Sequence, residues 1–308
     1  MAHLLLHPVL FSIIFFLLSP AGSPRGVAAA DASPPFSFSF DFTNASTYRT
    51  DDLSFLNDVK QRPGMVDLTS CLSRCRGRMS YNHPVPLYRN KDKNTRDVEV
   101  ASFSTNFTFA IKAIDGGCQG EGMTFFLASY PSVMPGNSDG GDLAIIDGDT
   151  EIALGQNRFV AVEFDTYNRS TYDPPGNHIG IDLSSVKHSM NTTILPFTLN
   201  GSMTANITFD GTTRMLVASL WLHDHPSANN PFQVSFQLPD PVSSVLPAPE
   251  VAVGFSASTG VCKEDHQIMS WSFSSTLGPI PRGLLKLSDL NGTGGLLEMQ
   301  IVLFSYPY

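Results

Sequence analysis

From residue 35 to residue 275 the chain alternates apolar and polar positions in short runs with a period of two. "PFSFSFDF" (35–42) sets Phe against Ser or Asp, and "VASFSTNFTFAI" (100–111) repeats the pattern through Phe103, Phe107 and Phe109. Further strand-like runs are "FVAVEFD" (159–165), "MTANITFD" (203–210), "RMLVASLWL" (214–222), "FQVSFQL" (232–238), "VAVGFSAS" (251–258) and "QIMSWSFSS" (267–275). Side chains two apart on a strand share a face, so each run predicts a strand with one face on a core. Turn clusters such as "PGNSDGGD" and "DPPGN" separate the runs. No helical period persists beyond a turn or two. No Pro/Ser-rich linker divides the series, and no repeat of roughly 20–50 residues is present. The pattern predicts one all-β domain, a sandwich or barrel, with its many Phe residues in the core.

The two ends of the chain differ from this pattern. An apolar run from Val9 to Leu18 is followed by small residues around Ala28–Ala30. This reads as a secretory signal peptide over 1–30, since the run is far short of the roughly 20 residues a spanning helix needs. After the predicted domain (31–277), residues 278–308 are rich in Gly and Pro and end in a short apolar run. They read as an irregular tail without a kinase signature or a membrane span. Seven Asn-x-Ser/Thr sequons, at Asn44, Asn106, Asn168, Asn191, Asn200, Asn206 and Asn291, fit a glycosylated protein of the cell surface or extracellular space.

Arg25 is the one charged residue of the leader. The remainder carries 18 basic and 28 acidic residues, a net charge near −10. That balance argues against nucleic acid and anionic membranes as partners. Four cysteines, Cys71, Cys75, Cys118 and Cys262, have no zinc-site spacing, and in an oxidising compartment they allow three disulfide pairings.

The densest chemistry lies in "VAVEFDTYNRSTYDPPGNHIGID" (160–182). On a strand Glu163 and Asp165 share a face, and Phe164 points into the other layer. Neighbouring carboxylates repel and raise each other's pKa unless a cation lies between them. Asp173 and His178 return from a turn-rich loop to supply further ligands. Carboxylate and carbonyl oxygens suit Ca²⁺, and an imidazole in the same cluster suits Mn²⁺ or another transition metal. A retaining glycosidase also sets carboxylates on one strand face. One family of glucan-cleaving sandwich enzymes uses acids at i, i+2 and i+4, and here i+4 is Tyr167. A polar strand end without any ligand is the third reading. No nucleophile–base pair or HExxH arrangement competes with these.

"VAVEFDTYN…DPPGNHIGID" resembles the metal-binding segment of the legume-type (L-type) lectins. "ASFSTNFTFAI" resembles that family's early core strand, "GEGMTFFLAS" its first sugar-site loop, and "GFSASTG…HQIMSWSFSS" its last loop and closing strand. By motif the chain is most similar to the lectin ectodomains of plant receptor kinases. The resemblance spans about residues 35–275 and implies a jelly-roll sandwich with a flat back sheet, a curved front sheet and a small connecting sheet. It implies Glu163 and His178 on the transition metal, and Asp165 and Asp173 bridging that ion to Ca²⁺. Tyr167, through its backbone carbonyl, and Asn168 would complete the Ca²⁺ site. Glu121, the backbone N–H of Gly141, and Asn168 would hydrogen-bond a sugar, with Tyr167 or Tyr172 as the aromatic candidates beneath it. The ions would rigidify the sugar loops without touching the sugar. The implied partners are glycans or glycoproteins, bound without catalysis. Homodimers through the back sheet are common in the family, and glycans on that sheet would block them.

Two positions depart from the family pattern. Arg169 stands where the family has the Asn that ligates Ca²⁺, and Asn168 lies one residue earlier within its own sequon. A cation at that place opposes calcium. Glu121 replaces an Asp, which moves the carboxylate outward by one methylene; the family holds this loop through a cis peptide, here Gly120–Glu121. These departures leave open a second reading, a lectin-fold interaction module with lost or weakened metal and sugar binding. The expected disulfides are Cys71–Cys75 and Cys118–Cys262. The second would clamp the first and last sugar loops if both border one pocket.

Overall fold

The computed structural model describes residues 35–278, except 72, 92–97, 115–117, 168–173 and 224–229. The predicted leader, the tail and Asn291 lie outside the described residues, as do Asn168, Arg169, Tyr172 and Asp173.

Two antiparallel sheets, each of eight strands among the described residues, face one another. The back sheet runs in the order Phe232–Gln237, Met215–Leu222, Gly201–Asp210, Phe103–Ala113, Glu264–Ser275, Met65–Asp67 and Lys60–Arg62. Phe36–Asp41 also pairs with the closing strand Glu264–Ser275. The front sheet runs Asn191–Ile194, His178–Leu183, Val160–Asp165, Gly122–Ser129, Glu250–Ser258, Arg76–Tyr81 and Leu53–Asn57. Val85–Pro86 joins it through Glu250–Ser258. Tyr88–Asn90 and Val98–Val100 form a small third sheet. Helical structure among the described residues is limited to three-residue 3-10 turns.

The period-two pattern is explained by the inter-sheet core. Phe107, Phe109, Phe125, Phe164, Phe255 and Trp271 meet there, with Phe107 edge-on to Phe255 at 4.7 Å and Phe109 at 4.9 Å from Phe164. The front sheet is also covered on its other face. Phe126, Ile145, Ile146, Phe159 and Ala161 form a second buried cluster. A strand buried on both faces shows little polar alternation, and every residue of Val160–Asp165 is buried.

One sequence expectation needs correction. "GEGMTFFLAS" is not a loop throughout: only Gly120–Glu121 precede the strand, and Gly122–Ser129 is a central front-sheet strand. Apolar side chains are needed on both of its faces, which is why Met123, Phe125 and Phe126 are buried. His178 lies just past the turn-rich loop, as its sequence position indicates. It opens the strand His178–Leu183 and pairs in register with Asp165.

Candidate functional site

The acidic cluster follows from strand geometry. In Val160–Asp165, Val160, Val162 and Phe164 enter the inter-sheet core, while Ala161 joins the second cluster. Glu163 and Asp165 therefore share the Ala161 face. The neighbouring strand sets His178 opposite Asp165, Gly180 opposite Glu163 and Asp182 opposite Ala161. Three acids and one imidazole are thus gathered on one face of two paired strands.

Ligand atoms of Glu163, Asp165 and His178 lie within 4.8 Å of one another, and all three residues are buried. His178 Nε2 is 3.2 Å from Glu163 Oε1, and Ser189 Oγ donates to the same oxygen at 2.6 Å. The Tyr167 N–H donates to Asp165 Oδ1 at 2.7 Å. Gly180 makes room for this cluster: a Cβ there would overlap Glu163 Oε1.

Asp182 is wholly buried, and within 3.5 Å neither of its carboxylate oxygens has a well-aligned hydrogen-bond partner among the described residues, with Ser189 and Glu163 its polar neighbours. Burial first, then the negative charge of Glu163, push its pKa well above the usual carboxylate range. Burial opposes charge on His178. The hydrogen bond to Glu163 and the charges of Glu163 and Asp165 outweigh it and push the imidazole up to about 9. The pocket therefore holds three carboxylates around one imidazole, and that imidazole is held charged. Hard carboxylate oxygens beside one imidazole, with space kept by a glycine, fit a divalent cation. Asp182, Ser189 and Gly180 were missed by sequence reasoning. Asp182 was legible in principle, since it lies four residues after His178 on the same strand face.

Of the other implied residues, Glu121, Gly141 and Tyr167 are described, and they gather at the same end of the front sheet. Glu121 is buried to 8% exposure and follows a cis Gly120–Glu121 peptide. Its N–H donates to the Ser258 carbonyl at 3.3 Å, and its own carbonyl accepts from Thr166 N at 3.2 Å. Gly260 must be small here, because a Cβ would meet Glu121 Oε1. Gly141 sits in the 3-10 turn Gly140–Asp142. That turn is fastened to the last loop by Gly140 N–H to the Thr259 carbonyl at 3.2 Å and by the Ser258 hydroxyl to the Gly140 carbonyl. Disulfides join Cys118 to Cys262 and Cys71 to Cys75. Cys118–Cys262 ties the acid loop to the last loop. Thr259 binds Cys75 through both backbone and side chain, so the short disulfide loop braces the same wall. Tyr167 is exposed rather than core, with its ring against Gly120.

A two-sheet jelly-roll sandwich that assembles a buried acid–imidazole cluster beside three fastened loops has the scaffold of a carbohydrate-binding lectin. Residues 37–286 match the model of the legume lectin domain, and the chain belongs to that family. Lectin DB58 of Vigna unguiculata subsp. cylindrica is 34% identical over 278 residues, which is 87% of this chain and 90% of that one. The solved peanut lectin with a nine-residue peptide superposes with a TM-score of 0.68 at 29% identity, covering 80% of this chain and all of that one. Lectin I-B4 of Griffonia simplicifolia in a metal-free form gives a TM-score of 0.64 at 31% identity, covering 77% of this chain and 99% of that one. Lectins bind carbohydrate without transforming it, so the family indicates a binding protein and not an enzyme.

Proposed function

We propose that this protein is a secreted lectin that binds glycans at a site held in shape by Ca²⁺ and Mn²⁺. The observation that carries this reading is the buried Glu163–Asp165–His178 cluster at the same sheet end as the Glu121 loop. Glu163 and His178 would hold the transition metal, with Asp165 and Asp173 shared between the ions. The Tyr167 carbonyl and Asn168 would serve calcium. The ions supply positive charge that offsets the buried carboxylates and stiffens the loop between Asp165 and His178. Glu121, Gly141 and Asn168 would then meet sugar hydroxyls, with polar groups already fixed before the ligand arrives.

The leader supports export to the extracellular space, and no helix among the described residues is long and apolar enough to cross a membrane. Asn44, Asn106, Asn191 and Asn200 are exposed and Asn206 is half-buried, so all five are open to glycosylation. Asn106 and Asn206 are paired directly across two back-sheet strands. Glycans there would oppose a homodimer packed on that face.

The test is calorimetric titration of EDTA-treated protein with Ca²⁺ and Mn²⁺, followed by glycan-array binding with and without the ions. Uptake of both ions with ion-dependent glycan binding is the expected result. Failure to take up either ion would overturn the metal-supported site. Release of reducing sugar from a glucan would overturn the non-catalytic reading.

A further inference from the structure

Thr166, next to the acidic cluster, is a junction of the site although it carries no charge. It is 3% exposed, and hydrogen bonds leave it in three directions. Its N–H donates to the Glu121 carbonyl at 3.2 Å. Its Oγ1 donates to Glu264 Oε2 at 2.7 Å. Its carbonyl accepts from Asn177 Nδ2 at 2.9 Å. Asn177 directly precedes His178, and its Nδ2 also reaches Gln119 Oε1 at 3.2 Å. Both described ends of the 166–177 segment are thus pinned to the acid loop.

Glu264 anchors this junction from the other sheet. It is completely buried on the closing back-sheet strand, and its Oε2 is 3.3 Å from His266 Nε2. His266 Nδ1 lies 3.0 Å from Thr69 Oγ1, which also donates to the Glu264 carbonyl at 2.9 Å. Thr69 stands two residues before Cys71 in the braced disulfide loop. Polar contacts therefore cross the interior from Glu121 through Thr166 and Glu264 to Thr69, which donates to the Glu264 carbonyl, with the His266 ring beside them. Well-packed apolar residues in place of a buried ion pair are often no less stable. The consequence of these contacts is better sought in what they fix, namely the distance between the Asp165 end of one strand and the Glu121 loop.

We propose that Glu264, acting through the Thr166 hydroxyl, is a positioning residue that couples calcium binding to glycan binding. This rests on the lectin reading above. Neither Glu264 nor Thr166 needs to touch an ion or the sugar. The Thr166 N–H holds the Asp165 strand end against the Glu121 carbonyl, and Glu264, by accepting from the Thr166 hydroxyl, ties that residue to the back sheet.

Thr166→Val keeps the shape and removes the donor, whereas Thr166→Ser keeps the donor. For Thr166→Val, the calcium needed for half-maximal glycan binding should rise about tenfold, in line with one lost bond to a charged group. Thr166→Ser should stay within about twofold of wild type. Hydrogen exchange supplies a readout that needs no ligand: the Glu121 and Thr166 amides should exchange faster in Thr166→Val and unchanged in Thr166→Ser. Unchanged exchange and calcium response in Thr166→Val would overturn the proposal. Equal damage from the Ser variant would do so as well, since the role would then be packing. If wild type itself ignores calcium and glycans, the lectin reading fails. Unchanged exchange in Thr166→Val beside a responsive wild type sinks only the junction.

Discussion

Two Glu–His pairs are buried in this sandwich, with similar separations and different surroundings. His178 and Glu163 approach to 3.2 Å on the outer face of the front sheet, while His266 and Glu264 approach to 3.3 Å between the sheets. Around the first pair stand two more acids, Asp165 and Asp182, and a glycine that keeps space open. Around the second stand Thr69 and Thr166, whose hydroxyls bond to the pair. The first pair belongs to a surplus of acids, three carboxylates around one imidazole. The second has one acid, one imidazole and two hydroxyls, with Glu264 Oε1 and His266 Nε2 lacking a hydrogen-bond partner among the described residues. Gathered like charges are costly in a buried site unless a cation lies among them, so the acid-rich cluster is the better candidate for an ion and the pair with a single acid the better candidate for a structural tie.

The sharpest way to break this comparison is to remove acid from each region in turn. Asp165→Ala should reduce calcium affinity by more than about a hundredfold and abolish glycan binding, since the carboxylate is a proposed ligand to both ions. Glu264→Gln keeps an acceptor for Thr166 and should leave the number of ions bound per chain unchanged. Calorimetric stoichiometry reads both variants. Loss of ion binding in Glu264→Gln alone would reverse the assignment of the two pairs.

Next in size is Gly180→Ala. The added Cβ meets the end of the Glu163 side chain, which must swing away from His178 and Ser189. Because a side-chain tip moves more readily than backbone, the fold should lose only about 1–3 kcal/mol. Metal affinity should fall by about tenfold or more, because Glu163 is displaced from its place in the cluster. Thermal melting in EDTA and a Mn²⁺ titration separate the two effects. A variant that melts much earlier but binds Mn²⁺ normally would mean that Gly180 serves packing alone.

The third contrast is with pH. In metal-free protein His178 is pushed up to about 9, against burial, by its bond to Glu163 and the nearby acids. A raised base stabilises the fold fully below its unfolded value near 6.5, and that contribution is lost as pH rises through about 9. Asp182, raised by burial and by Glu163, acts in the same direction, since the folded state retains a proton that the unfolded state has lost. The EDTA-treated protein should therefore melt at a lower temperature at pH about 9 than at about 6, and His178→Gln should flatten the slope. Ion binding should run oppositely, strengthening as pH rises, because a ligating imidazole must lose its proton. A metal-free melting curve that is flat in wild type would remove the surplus-charge account of this cluster.

Much of this comparison was legible in the sequence, and the reason is local. Phe103, Phe107 and Phe109 alternate because the Phe103–Ala113 strand buries one face, and the period survives without knowledge of its neighbours. Glu163 and Asp165 share a face by the same rule. The parts that were not legible depend on pairing register. Nothing local indicates that Gly180 lies opposite Glu163, or that Ser189 returns to the same carboxylate. The Glu264–His266 pair was hidden for another reason. The closing strand carries a register irregularity between Ile268 and Ser270, so alternation read back from Trp271 assigns the wrong face to residues 264 and 266. The loop reading of "GEGMTFFLAS" comes from the family resemblance, and a strand buried on both faces has no alternation to counter it.

Ser189 gives the smallest and finest division between the two pairs. Among the described residues its hydroxyl is the neutral side-chain donor on Glu163, at 2.6 Å, in a cluster otherwise dominated by acids. If the first pair is tuned for an ion, that hydroxyl orients a ligand carboxylate, and such supporting bonds are worth about 10- to 100-fold in metal affinity. Ser189→Ala should then sit near the lower end, because Glu163 retains His178 as a second partner. Ser189 is only partly buried, so melting in EDTA should shift little. If the pair is instead a structural tie like Glu264–His266, the order inverts: metal-free stability falls and Mn²⁺ affinity holds. Melting with and without Mn²⁺, measured beside Thr69→Val as the matching hydroxyl deletion in the other pair, decides between them. Thr69→Val should lower metal-free stability by about 1–3 kcal/mol, since it leaves the buried His266 imidazole without its hydroxyl partner.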